Sequence, residues 1–133
     1  MDSLQNIKDT LYRNPLVSFS YLFGSRASNK SGNMSDWDIA VYIYKDKLEV
    51  NPVWQKIRLE DELSLALKTD GMHVTILNDL DAPLFSFNII REGVLLADKC
   101  PESRMEFEYR VLRRFHDWRY FLDRHMSVDK VKT

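Results

Sequence analysis

Two short stretches of this sequence carry chemistry in their spacing: Gly24-Ser25 and, after ten intervening residues, Asp36-Trp37-Asp38. The segment before Gly24, Leu16–Phe23, is almost wholly apolar, aromatic or serine, the pattern of a buried strand. At Gly24 the missing Cβ lets a bound group approach the backbone closely. Ser25 then offers a backbone N–H and a hydroxyl at the start of a turn, donors that can cradle phosphate oxygens. From Asp36 to Tyr44 the chain alternates: Trp37, Ile39, Val41 and Ile43 share one face, and Asp36 and Asp38 share the other. Paired carboxylates beside a phosphate cradle suit Mg²⁺, a hard cation that takes oxygen ligands and bridges to substrate phosphates. Either half alone is commonplace on protein surfaces. Together they are informative, because two like charges on an otherwise apolar strand are costly unless a cation offsets them.

The remaining elements must hold these residues in place. Ser3 is read as an N-cap of a first helix carrying Leu4, Ile7 and Leu11, which Asn14-Pro15 ends. Residues 25–35 read as a loop with a helical turn near Arg26-Ala27. Asn51-Pro52 opens a second helix to about Lys68, with Val53, Ile57, Leu63 and Leu67 expected on its inner side. Asp70-Gly71 turns the chain into a strand over His73–Leu77, rich in β-branched residues. Asp81 is expected to cap a short helix through Phe85 and Ile89 that Gly93 ends, and Val94–Ala97 adds an edge strand. Pro101 opens a long helix, about 101–125, whose stripe Phe107, Val111, Phe115, Trp118 and Leu122 is apolar at helical spacing. The pattern predicts one domain over 1–133, of α/β (α+β) class: a small mixed sheet of three to four strands flanked by helices.

Composition narrows the function. Nineteen basic against twenty acidic residues give a net charge of −1, so direct nucleic-acid binding is not expected. A single cysteine, Cys100, excludes a disulfide framework and a cysteine-rich zinc site. No secretory leader pattern opens the chain, and no apolar run approaches the ~18 residues of a membrane span. A cytoplasmic protein without membrane attachment is the expectation.

The motif from Gly24-Ser25 to Asp36-Trp37-Asp38 resembles the signature of the polymerase-β-type nucleotidyltransferases, and the short chain resembles their minimal form, the MNT proteins. The resemblance continues through His73-Val74-Thr75-Ile76-Leu77-Asn78, Leu84–Ile90 and Arg91-Glu92-Gly93-Val94-Leu95-Leu96, and covers roughly residues 15–98. It is similar in particular to the MntA type of antitoxin found in HEPN/MNT toxin–antitoxin pairs. That resemblance implies a polymerase-β-like fold and ATP as substrate, with Asp36 and Asp38 as catalytic ligands of Mg²⁺. It also implies a cognate HEPN-domain ribonuclease toxin as partner, silenced by transfer of AMP to one of its tyrosines.

One position departs from the family pattern. Where a third carboxylate is usual, this chain has His73, which can serve as the base that activates the attacking hydroxyl or can be structural. Gly24, Ser25, Arg26 and Lys30 are the candidate nucleotide-binding residues; Arg26 and Lys30 can meet a triphosphate or stay solvated. Asp70, Asp79 and Asp81 read as turn residues. His116 and His125 read as surface. The last helix carries aromatic residues almost all the way round, so Tyr109, Arg113 and Tyr120 are expected to face outward to a partner, unless the first helix covers them. Two other functions stay open: an antitoxin that acts by binding alone, and transfer to a small-molecule hydroxyl.

Overall fold

The computed structural model describes residues 2–28 and 35–125. Its centre is β1 (Val17–Phe23), whose side chains are buried on both faces as far as Leu22. Antiparallel neighbours flank it, β2 (Trp37–Ile43) on one side and β4 (Val94–Asp98) on the other. β3 (Met72–Ile76) pairs parallel with β2, and the sheet order is β3-β2-β1-β4. The parallel pair requires a crossover, and α2 (Val53–Leu67) supplies it.

Helices cover both faces. α1 (Ser3–Arg13) and α2 pack on one, where Ile7, Leu11, Leu59 and Leu63 meet Val17, Ile39, Val41, Ile43 and Val74. α3 (Pro83–Glu92) and α4 (Pro101–His125) pack on the other, where Ile89, Phe107 and Val111 meet Phe19, Tyr21, Ala40 and Tyr42. Strict alternation along β1 would send Val17 to the same face as Phe19. A register slip between the two turns Val17 to the α1/α2 layer instead. Phe19, fully buried, stacks on Tyr42 with ring centroids 4.7 Å apart and lies 5.5 Å from Phe107.

Polar contacts fix the joints. The Tyr21 hydroxyl donates to Glu108 at 2.5 Å, and Arg104 bridges Asp98 and Glu108 at 3.0 and 3.2 Å, so the start of α4 is tied to both β1 and β4. Burial, and then Glu108, push the Tyr21 phenol well above its ordinary pKa. Asn78 extends the sheet beyond β3: its side-chain amide accepts from the Ile43 N–H at 2.9 Å and donates to the Ile43 carbonyl at 2.7 Å.

The structure corrects several local expectations. Asp2, not Ser3, caps α1, accepting from the Leu4 N–H at 3.0 Å. The inner side of α2 is Gln55, Leu59 and Leu63, while Val53 and Ile57 are exposed. Gln55 turns inward because its amide ties down the preceding loop, donating to the Lys47 carbonyl at 2.8 Å and accepting from the Glu49 N–H at 3.1 Å. Asp81 does not cap α3, whose N-cap position is Ala82 with no side-chain bond; Asp81 pairs with Arg114 on α4. On α4, Phe107, Val111 and Phe115 are buried as expected, whereas Trp118 and Leu122 are only partly covered. Among the described residues no helix is long and apolar enough to cross a membrane.

Phe19→Ala should remove the ring on which Tyr42 and Phe107 close and lower stability by about 3–5 kcal/mol. Urea unfolding should show a lower midpoint with an unchanged slope.

Candidate active site

The β1–β2 and β2–β3 pairings converge at one end of the sheet. Phe23, the last residue of β1, lies opposite Asp38, and Asp38 in turn is in register with His73 on β3. Just outside β2, Asp36 Oδ2 lies 3.1 Å from His73 Nε2. The Trp37 N–H donates to the Gly71 carbonyl at 2.7 Å, which fixes the height of Asp36 against the β3 strand. α2 secures β3 from outside, with Glu60 accepting from the Val74 N–H at 2.9 Å. The chain thereby brings Gly24, Asp36, Asp38 and His73 together from three strands.

Two glycines make room for the carboxylates. Gly24 adopts φ +78°, and a Cβ built there would lie 2.5 Å from Asp38 Oδ2. Both the conformation and the space exclude a side chain. A Cβ at Gly71 would lie 2.6 Å from Asp36 Oδ1. After Gly24 the backbone closes a tight turn, the Ala27 N–H donating to the Gly24 carbonyl at 3.1 Å and the Ser28 N–H to the Ser25 carbonyl at 3.3 Å. Ser25 stands exposed at its start.

The electrostatics follow from burial and like charge. Asp38 is held above the ordinary carboxylate pKa, first by desolvation and then by the Asp36 charge, with His73 opposing. The site presents hard oxygen donors of the kind Mg²⁺ takes. Among the described residues no three His, Cys, Asp or Glu side chains form a metal cage of their own. Two protein carboxylates, completed by phosphate oxygens, are the usual way a protein holds that ion.

Beside Gly24 lies a pocket of about 220 Å³, walled by Phe23, Ala27 and Ser28 on one side and by Phe85, Asn88, Ile89 and Glu92 of α3 on the other. The α3 residues and Gly71 escaped the sequence reading. The contact of Gly71 with Asp36 becomes visible only once the register of β2 on β3 is known. Asn88 and Glu92 share a helical face with Phe85, but nothing in their spacing marks that face as a pocket wall. Of the candidate nucleotide-binding residues, Gly24 lines this pocket and Ser25 opens the turn beside it. Arg26 folds back over the loop neck, both its Nε and its Nη2 donating to the Ser35 carbonyl at 2.9 and 2.7 Å. Lys30 lies outside the described residues.

A Gly-Ser turn facing an Asp-x-Asp strand at one end of a mixed sheet is the arrangement of a nucleotidyltransferase. Residues 5–102 match the family described as polymerase beta, nucleotidyltransferase, and the chain belongs to that family. The fold is similar throughout to a chain of a toxin–antitoxin pair crystallised with AMP-PNP, at 21% identity, a TM-score of 0.72 and 98% coverage of both chains. It is also similar to a chain of the MntA–HepT toxin–antitoxin pair, at 21% identity and a TM-score of 0.66, covering 98% of this chain and 97% of that one. A third similar structure is the tri-AMPylated Shewanella oneidensis HEPN toxin in complex with MNT antitoxin, at 19% identity and a TM-score of 0.66, covering 98% of this chain and 99% of that one. No curated protein matches by sequence.

Removing the charge of Asp38 should stabilise the metal-free fold. Its pKa is raised on folding, so its favourable contribution is complete below the unfolded value near 3.8 and is lost as pH rises through the folded one. At neutral pH Asp38→Asn should therefore melt higher than the parent, and the gain should vanish in acid. Gly24→Ala, by contrast, should melt lower at every pH, because the new Cβ displaces Asp38 itself.

Proposed function

We propose that the protein is an antitoxin that transfers AMP from ATP to a tyrosine hydroxyl of a HEPN-domain ribonuclease and so silences it. The observation that carries this reading is the convergence of Gly24, Asp36, Asp38 and His73 at one sheet end beside an open pocket. Family membership supports nucleotidyl transfer as the reaction class. The fold shared with MNT chains, one of them in complex with a tri-AMPylated toxin, supports the choice of acceptor.

In this reading the Gly24-Ser25 turn receives the phosphates, with the bare Gly24 backbone allowing close approach. Asp36 and Asp38 would hold Mg²⁺, which when bound would offset the charge that develops on the phosphate oxygens. The acceptor oxygen bonds to the α-phosphorus, the bond from that phosphorus to the oxygen bridging the β-phosphate breaks, and pyrophosphate leaves. His73, oriented by donating its Nε2–H to Asp36, takes the proton of the acceptor hydroxyl at its other ring nitrogen, Nδ1, directly or through a water. The pocket walled by α3 lies next to the turn and is open to the rest of the nucleotide.

The partner would dock on α4. Tyr109 and Tyr120 are 60% and 63% exposed, and the Arg113 guanidinium lies 5.9 Å over the Tyr109 ring. α1, the element expected as an alternative cover, packs instead against α2, β4 and β1. Exposed aromatic and arginine side chains are those that dominate interface energetics.

The test is intact mass of a HEPN-domain partner after incubation with this protein and Mg-ATP. The partner should gain the mass of one AMP or a multiple of it. Asp36→Asn and Asp38→Asn should each abolish the gain while the protein stays folded, and His73→Ala should slow it by roughly 10²–10⁴-fold. Neutralisation with no mass gain would instead make this an antitoxin acting by binding alone. Labelling of a small hydroxyl compound, with the partner untouched, would move the acceptor.

Docking is checked separately. Substituting Tyr109 and Arg113 by Ala should weaken co-purification with the partner and leave ATP binding unchanged.

A further inference from the structure

Among the described residues, the Arg26 side chain ties together the two ends of the segment that separates the halves of the site. Arg26 follows Ser25 directly, and Ser35 precedes Asp36 directly. Two nitrogens of the Arg26 guanidinium converge on the Ser35 carbonyl at 2.9 and 2.7 Å. The central carbon of the same guanidinium lies 4.1 Å over the centre of the Trp37 ring. Trp37 is the residue between the two carboxylates, and, partly buried, it packs against the α1/α2 core. Its N–H is anchored to Gly71 at 2.7 Å. Arg26 thus touches the residue before Asp36 and the residue after it, from a position one step beyond the phosphate turn.

We infer that Arg26 is a positioning residue for nucleotidyl transfer: it locks the Gly24-Ser25 turn to the Asp36–Asp38 segment through Ser35 and Trp37, rather than gripping the triphosphate. The inference rests on the reading of this site as a nucleotidyltransferase centre. The chemistry of arginine suits the task. A planar fork can aim two converging N–H groups at one carbonyl oxygen while the guanidinium lies over an indole, and a lysine ammonium can do neither in the same way. What the clamp sets is the distance between donors that meet the phosphates and carboxylates that hold the metal. An error of about 1 Å there costs on the order of 10²-fold in rate.

The test separates positioning from charge. With Mg-ATP and the HEPN partner, Arg26→Lys keeps the positive charge and loses the fork and the stack. It should lower kcat by about 10²-fold, the scale of a misplaced reacting group, and leave KM for ATP within about twofold. Trp37→Leu should reproduce the loss of kcat and Trp37→Phe, which keeps an aromatic face, should largely escape it. A rise in KM with kcat retained, or near-complete activity in Arg26→Lys, would make Arg26 a phosphate contact and overturn the inference. A second readout needs no activity. Hydrogen exchange of the amides of residues 24–28 and 35–38 should speed up in Arg26→Lys and in Trp37→Leu, and stay as in the parent in Trp37→Phe. Unchanged exchange in both of the first two variants would overturn the clamp. Faster exchange with no transfer by the parent protein would leave the clamp standing and count against the proposed reaction instead.

Discussion

Two carboxylates of like charge held side by side at the end of a sheet set the terms for the rest of this molecule. Asp38 sits in register between Phe23 and His73, partly desolvated, and the Asp36 charge adds to the cost of its ionisation. A sheet end does not tolerate such a pair for packing reasons. It is kept in place by local features: Gly24 at φ +78°, Gly71 without a side chain beside Asp36, and the Trp37–Gly71 bond that sets the strand height. The stable layers of helix on both faces make that local cost bearable.

The two helical layers divide the labour. α1 and α2 seal one face and carry the crossover that makes β2 and β3 parallel. The register of that pairing puts His73 level with Asp38 and on the same face of the sheet. α3 and α4 seal the other face, and α3 also walls the pocket beside the Gly24-Ser25 turn. The long α4 runs on past the core it covers, and its outer side keeps aromatic and arginine residues in solvent.

Much of this was legible in the residues themselves. Alternation from Asp36 to Tyr44 placed both carboxylates on one face, and the break at Gly24 marked the end of the apolar strand before it. The order of helices and strands followed from periodicity and from Gly, Pro and Asn punctuation. What escaped was relational. Gly71 reads as an ordinary turn residue until β3 is laid against β2, and Asn88 and Glu92 read as ordinary helix surface until α3 is laid against the loop after β1. The inward face of α2 was misjudged because Gln55 is polar, and its reason for burial is a loop it ties down rather than a core it fills. Arg26 shows the same limit: its charge suggests a phosphate, whereas its geometry is that of a fork on a carbonyl and a lid on an indole.

The central claim is that this sheet end transfers a nucleotidyl group. The most direct measurement follows radiolabel from two ATP samples, one labelled at the α-phosphate and one at the γ-phosphate, onto a HEPN-domain partner in the presence of Mg²⁺. The account predicts label on the partner from the α-labelled sample alone, with pyrophosphate released and no transfer by Asp38→Asn. Label arriving from the γ-phosphate, or α-label transferred equally well by Asp38→Asn, would contradict it.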